Sequence, residues 1–209
     1  MQSKGLKMGL PQSVAHLMPD DYLEWENTQV EKHEYVNGEV FAMVGARREV
    51  APGILPPATL AHPCTTHVTI AGNVFALLKD HLRAGSCRAY ISDMKLRVET
   101  ANAFFYPDVF VTCDERDHQA KLFMSHPRLI VEVLSDSTAA FDRGDKFAIY
   151  RQIPTLEEYL LIDPGSLRAD CFRRDSTGHW ALYDFGKDDV VELQSMAFQV
   201  RLTAFFENV

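Results

Sequence analysis

Two periods of apolar and polar positions run through this chain. A period of two marks the first: Glu34-Tyr35-Val36-Asn37-Gly38-Glu39-Val40-Phe41 sets strand formers on both sides of Asn-Gly, a strong short-range signal for a tight β-hairpin. A two-residue turn sets Val36 opposite Glu39 and Glu34 opposite Phe41, so these four side chains are expected on one face. A helical period marks the second. His67, Ala71, Val74 and Leu78 recur at spacings of four, three and four, which predicts a helix over 66–83 with Thr65 or Thr66 as its cap. Residues 19–26 form a shorter predicted helix, with Asp20 and Asp21 in its first turn, where the helix dipole favours acids.

Strands are predicted over 87–91, 94–99 and 105–112, and a charged connection with a short helix over 114–126. The apolar run Leu129-Ile130-Val131-Glu132-Val133-Leu134 predicts a buried strand, followed by a helix over 138–152 and a strand over 158–162. A C-terminal hairpin, 167–174 with 179–185, turns on Ser176-Thr177-Gly178. Pro52, Gly53, Pro56, Pro57 and Pro63 make 46–65 the longest loop, since proline supplies no backbone donor. The expected organisation is a loose leader over 1–16 and one α/β domain over 17–209, built on a central mixed β-sheet flanked by helices.

Glu132 breaks its apolar run alone. An ionised carboxylate inside a buried strand costs several kcal/mol unless a cation meets it. Pro107-Asp108 opens another predicted strand, and Lys146 lies downstream in Asp142-Arg143-Gly144-Asp145-Lys146. Two acids and a lysine on adjacent elements are the parts of a metal-dependent phosphodiesterase site. In that arrangement Asp108, Glu132 and the backbone carbonyl of Val133 hold a divalent ion, and Lys146 supports the nucleophile or the charge of the transition state. Each residue also has a plainer role: Asp108 as a strand-entry cap, Glu132 as the partner of a structural arginine, Lys146 in an i,i+4 surface pair with Asp142. Glu34 and Glu39 on the hairpin face are further candidate acids. His67, heading its apolar stripe, is a candidate ligand or proton shuttle beside the plainer role of a core histidine. His62, Cys64 and His67 have a loosely zinc-like spacing without a fourth ligand. Asp93-Met94-Lys95 imitates an acid-x-lysine strand motif, with less apolar neighbours than Glu132 has.

Composition narrows the partners. A net charge of −8 disfavours a broad nonspecific nucleic-acid binder, so any nucleic-acid contact must be a local patch or use metal to offset the acids. No apolar run approaches the roughly 20 residues of a membrane span. Four cysteines without a CxxC pair favour reduced thiols and a cytoplasmic location over a disulfide framework.

Several stretches together resemble the Uma-two family of restriction-endonuclease-like proteins, within the PD-(D/E)xK nuclease superfamily. They are Asp21-Tyr22-Leu23-Glu24-Trp25-Glu26, His33-Glu34-Tyr35-Val36-Asn37-Gly38-Glu39-Val40, Phe105-Tyr106-Pro107-Asp108-Val109, Ile130-Val131-Glu132-Val133-Leu134-Ser135-Asp136-Ser137-Thr138, Asp142-Arg143-Gly144-Asp145-Lys146-Phe147 and Tyr159-Leu160-Leu161-Ile162-Asp163-Pro164. The resemblance spans residues 17–185. It implies a restriction-endonuclease-like fold with a four-stranded mixed core sheet and metal acids at Asp108 and Glu132. The superfamily lysine stands two residues after the second acid, a place held here by Leu134, and the family pattern moves that role to Lys146. The loop over 47–66 is longer than the family pattern. The resulting expectation is a Mg²⁺-dependent endonuclease, with Mn²⁺ as a substitute, cleaving DNA, and a symmetric homodimer if both strands of a duplex are cut. The competing readings are a noncatalytic binding or assembly protein that retains the fold, and a phosphodiesterase acting on RNA or a nucleotide.

Overall fold

The computed structural model describes residues 16–43 and 62–209, with backbone alone at 62–64. The expected leader (save residue 16), most of the 46–65 loop, and the side chains of His62 and Cys64 lie outside the described residues. The first elements follow expectation. Helix α1 (Pro19–Glu26) leads into strands β1 (His33–Val36) and β2 (Glu39–Ala42), paired with Val36 opposite Glu39 and Glu34 opposite Phe41. Asn37 and Gly38 take φ of +47° and +95°, the two left-handed positions that a type I′ turn requires. Helix α2 (His62–His81) starts earlier than expected. Pro63 falls in its first turn, where a missing N–H costs no hydrogen bond.

Strands β3 (Arg88–Ile91) and β4 (Lys95–Val98) match their predicted segments. The strand expected over 105–112 is two strands: β5 (Ala103–Phe105) pairs with β1 and β4, while β6 (Val109–Thr112) pairs with β3 and joins another sheet. The chain crosses between the sheets at Tyr106-Pro107-Asp108, since proline cannot supply a ladder donor. That crossing delivers Asp108 to the mouth of β6. Helix α3 (Glu115–Gln119) and β7 (Phe123–Met124) follow, then β8 (Pro127–Val133).

After β8 come α4 (Ala139–Phe141), a π-helical turn (Asp142–Lys146) and α5 (Phe147–Tyr150), and this crossover returns to β9 (Glu158–Asp163) parallel to β8. Strands β10 (Arg168–Arg174) and β11 (Trp180–Phe185) form the expected late hairpin. It is not the last, because β12 (Val190–Leu193) and β13 (Phe198–Arg201) form another. The central sheet is mixed, with order β11-β10-β9-β8-β6-β3: six strands where the resemblance implied four. A second mixed sheet runs β2-β1-β5-β4-β7. The fold is therefore of the expected α/β, restriction-endonuclease-like kind.

Strand β8 divides the core. Leu129, Val131 and Val133 pack with Ile70, Val74 and Leu78 of α2 and with Phe198 and Phe205. Ile130 and Leu134, on the opposite face, pack with Phe105, Phe110 and Tyr150. Glu132 shares that second face by the period of two. Near the hairpin, Tyr22, Tyr35 and Phe104 form a third cluster that seats α1. Glu158, fully buried, accepts from Arg173 Nε (2.7 Å) and from the backbone N–H of Gln194 and Ser195, fastening the turn between the last two strands to the sheet.

The expectation of reduced thiols fails for one pair. Cys87 and Cys113 are disulfide-bonded, whereas Cys171 is free and buried. Spacing rules could not find this bridge, because sheet register makes it: Arg88 pairs with Thr112, so Cys87 meets Cys113 one step further out. Reduced thiols therefore no longer argue for a cytoplasmic location. Among the described residues no helix is long and apolar enough to cross a membrane. The bridge spans 26 residues of sequence, and a closed loop of that size stabilises a fold by about 2–4 kcal/mol. The double variant Cys87→Ser with Cys113→Ser is expected to lose about that much in urea unfolding. The same loss should appear when the natural chain is reduced; superimposable unfolding curves with and without reductant would rule the bridge out.

Candidate active site

Antiparallel pairing sets Val109 opposite Val131, so Asp108 and Glu132 extend the same ladder by one step. There the side chains replace the ladder bonds. The backbone N–H of Asp108 donates to Glu132 Oε2 (3.3 Å), and the N–H of Val133 donates to Asp108 Oδ2 (2.8 Å). Both acids are thus fixed at the C-terminal end of β8, beside its parallel partner β9. In α/β sheets, ligands bind at that end of the strands.

The crossover helix supplies the cation. Lys146 is 5% exposed, and its Nζ lies 2.8 Å from Glu132 Oε1, 3.3 Å from Glu34 Oε1 and 3.4 Å from Asp142 Oδ1. The plainer roles considered for these residues do not describe this geometry: the Asp142–Lys146 pair is buried, and the partner of Glu132 is a lysine. Tyr150 OH donates to Glu132 Oε1 (3.0 Å), and Tyr159 OH donates to the carbonyl of Asp142 (3.0 Å). The rings of Phe105 and Tyr150 each stand 5.8 Å from the ammonium. Leu134, in the place of the superfamily lysine, is buried in the apolar cluster on the same face.

The π turn matters here. Residues four apart in an α-helix advance 40° beyond a full turn. A wider turn over 142–146 reduces that drift and keeps Asp142, Lys146 and Tyr150 in one line facing Glu132. Asp142 and Tyr150 were not among the expected site residues. Their spacing of four on either side of Lys146 was the available signal.

From the other side, His67 Nε2 approaches Asp108 Oδ2 at 3.1 Å and also hydrogen-bonds the main chain of Val133. The structure thus gathers Asp108, Glu132, Val133, Lys146, Glu34 and His67. It does not gather Glu39, which is exposed beyond the hairpin turn.

Burial pushes the Glu132 carboxyl up to about 8; the nearby Asp108 and Asp142 charges add to that rise, and Lys146 opposes it. Burial also raises Glu34, against the pull of Lys146. The hydrogen bond to Asp108 raises His67. The four carboxylates Glu34, Asp108, Glu132 and Asp142 face one lysine and one histidine. Fully ionised, with the histidine protonated, the set carries two uncompensated negative charges, the charge of one divalent cation. Among the described residues no three His, Cys, Asp or Glu side chains converge on one ion position. A cation here would take the Asp108 and Glu132 carboxylates and the Val133 carbonyl. Such an all-oxygen set with few carboxylates fits Mg²⁺, which completes its shell with water and substrate phosphate, and does not fit zinc.

The sequence comparisons agree with this geometry. Residues 59–204 match the Uma2 family profile, described as "Putative restriction endonuclease". The chain is 34% identical over 193 residues to the uncharacterized protein slr1290 of Synechocystis sp., covering 92% of this chain and 93% of that one. It is 31% identical to a second Synechocystis protein, sll1609, covering 84% and 92%. The crystal structure of a putative nuclease belonging to DUF820 from Anabaena variabilis superposes with a TM-score of 0.66 at 16% identity, covering 91% of this chain and 97% of that chain, a likeness of fold.

These pKa displacements fix a pH dependence for the metal-free protein. Glu132, Glu34 and His67 all bind protons more tightly folded than unfolded. Stability therefore falls where the unfolded chain has released protons that the folded one still holds. For Glu132 that window runs from its ordinary 4.5 to about 8. In EDTA the melting temperature is expected to drop steadily from pH 5 to pH 8.5, and Glu132→Gln is expected to flatten that slope. An unchanged slope in the variant would refute the displaced carboxyl.

Proposed function

Because the chain belongs to the Uma2 family of putative restriction endonucleases, we propose that it is a divalent-metal-dependent endonuclease hydrolysing DNA phosphodiester bonds. The observation that carries this reading is the meeting of Asp108, Glu132 and Lys146 at one strand end, with an all-oxygen donor set beside a buried ammonium. A bound Mg²⁺, or Mn²⁺ in its place, supplies Lewis acidity toward the scissile phosphate and lowers the pKa of its bound water. Asp108 and Glu132 would hold it with the Val133 carbonyl.

The protein's own groups divide the remaining work. The N–H of Val133 fixes the Asp108 carboxylate, and Tyr150 fixes Glu132, so neither acid needs to reorganise when a substrate arrives. Lys146 places its ammonium where negative charge gathers on a pentavalent phosphorus. Its nearness to Glu132 also lets it orient an attacking water. His67 orients Asp108 from the opposite side. Glu34 and Asp142 hold Lys146 charged and in place.

One observation favours a noncatalytic protein that kept the fold: Lys146 is already enclosed by three carboxylates, as a structural ion cluster would be. The two readings part on metal affinity. A nuclease site binds Mg²⁺ or Mn²⁺ in a calorimetric titration and loses that binding with Asp108→Ala; a structural cluster shows neither effect.

Supercoiled plasmid and single-stranded DNA incubated with Mn²⁺ or Mg²⁺ should be cut by the natural chain. EDTA should stop the reaction, and Glu132→Gln should lower it by at least about a hundredfold, the scale of losing an electrostatic group at a reacting centre. Undiminished cutting by a folded Glu132→Gln protein would remove Glu132 from the site.

A further inference from the structure

The Asp93-Met94-Lys95 motif plays no part in the metal site, and its lysine has an unusual setting. Lys95 Nζ stands 5.5 Å from the centre of the Tyr106 ring, and Lys32 Nζ stands 5.5 Å from the same ring. Two ammonium groups therefore share one aromatic support. The Tyr106 ring is buried and anchored, since its hydroxyl donates to Glu26 Oε1 at 2.9 Å. The backbone and ring nitrogens of His33 also bond to Glu26, so that carboxylate is already engaged. Lys32 pairs with Asp93, whose side chain is 85% exposed, and bonds the carbonyl of Ser92 at 3.3 Å. Among the described residues, Lys95 makes no ion pair with any carboxylate. Burial and the neighbouring Lys32 pull its pKa down, against a weaker opposing pull from Glu26. Like charges held side by side, one of them partly desolvated and unpaired, are costly unless an anion joins them.

The pair also stands beside the metal acids. Tyr106 precedes Asp108 by two residues at the crossing between the sheets. Ser92, whose carbonyl holds Lys32, donates its own N–H to the carbonyl of Asp108 at 3.0 Å. Lys32 in turn precedes Glu34, a neighbour of Lys146, by two residues on the hairpin. In a chain of net charge −8, a DNA backbone needs such a local cationic patch to approach four carboxylates.

The basic cleft lined by Arg97, Arg116 and His126, about 300 Å³ in volume, is less suited to this task. Arg116 is doubly bonded to Asp114, His126 is held by Asp117, and the cleft lies near Pro127, at the end of β8 opposite Glu132.

We propose that Lys32 and Lys95, supported by Tyr106, form a cradle for a DNA backbone phosphate flanking the scissile one. The proposal rests on the endonuclease reading for its location and makes DNA the ligand. Both lysines act as point charges on the phosphate, so they confer affinity without sequence preference. The exposed Asp93 is the group that the phosphate displaces from Lys32.

Fluorescence anisotropy of labelled duplex and single-stranded oligonucleotides tests this. Ca²⁺ replaces Mg²⁺ so that binding is read without cleavage, across a series of salt concentrations. The variants are Lys32→Gln, Lys95→Gln, the double variant, and Lys32→Arg with Lys95→Arg. The double glutamine variant should bind about tenfold more weakly on every sequence, with a salt slope shallower by about two, one for each phosphate-neutralising lysine removed. The double arginine variant should retain binding, and all four proteins should melt together, since Lys32 is already half-exposed and Lys95 partly so. Affinity and salt slope unchanged in the double glutamine variant overturn the cradle and leave the nuclease reading intact if the natural chain still cuts DNA. Lysine-dependent binding without cleavage on any DNA keeps the cradle and removes the nuclease reading. A natural chain that binds none of the oligonucleotides overturns the cradle.

Discussion

The Lys146–Glu132 ion pair is the constraint around which the other elements are arranged. Both groups are almost fully removed from water, and removing one partner of such a pair typically costs about 3–5 kcal/mol because the other is left unpaired. Meeting that demand requires three separate pieces of chain. Strand β8 brings Glu132, the π turn brings Lys146 with Asp142, and the N-terminal hairpin brings Glu34 from the second sheet. Tyr150 and Phe105 enclose the ammonium from the sides. The pair thereby links the two sheets and the crossover helix at one point, and a shift in any of them leaves a buried charge unmet.

Purely as a stabilising device this arrangement is inefficient. Well-packed apolar residues of similar volume often stabilise a core as well as a buried ion pair or better. Leu134 shows the alternative two residues along the same face, where an apolar side chain sits in the cluster at no desolvation cost. Retaining an acid at 132 and four carboxylates around it is readily understood if the charge is used. The raised Glu132 and Glu34 carboxyls belong to the same economy: without a cation the cluster lowers its charge by holding protons, and a divalent ion would displace them.

What could be read from the sequence follows from which forces are local. The Asn-Gly hairpin was legible down to its register because two residues with positive φ dictate it. The α2 stripe and the solitary Glu132 were legible because each departs from or obeys a short period. The break between β5 and β6 was hidden, since Phe105 to Thr112 reads as one apolar run and only pairing with two different sheets divides it. The Cys87–Cys113 bridge was hidden for the same reason, being set by register across strands distant in sequence. Glu34 and Glu39 share a hairpin face in the pattern, yet only Glu34 meets Lys146, because the second sheet covers one end of that face and leaves Glu39 in water.

The π turn and the strand crossing are local irregularities with one shared consequence. Pro107 ends one strand early and sets Asp108 at the mouth of the next, where its N–H and carboxylate engage β8. The widened turn at 142–146 realigns Lys146 toward the same point. Regular elements would have continued the 105–112 strand and rotated the lysine away. Departures of this kind cost regular hydrogen bonding, and they recur at functional sites because side chains must be aimed where ideal geometry does not aim them. Here both departures converge on Glu132, and Tyr106, at the first of them, also supports Lys32 and Lys95. The irregular backbone thus places the acids that suit a metal and the lysines that suit a phosphate on the same short segment, within reach of one substrate strand.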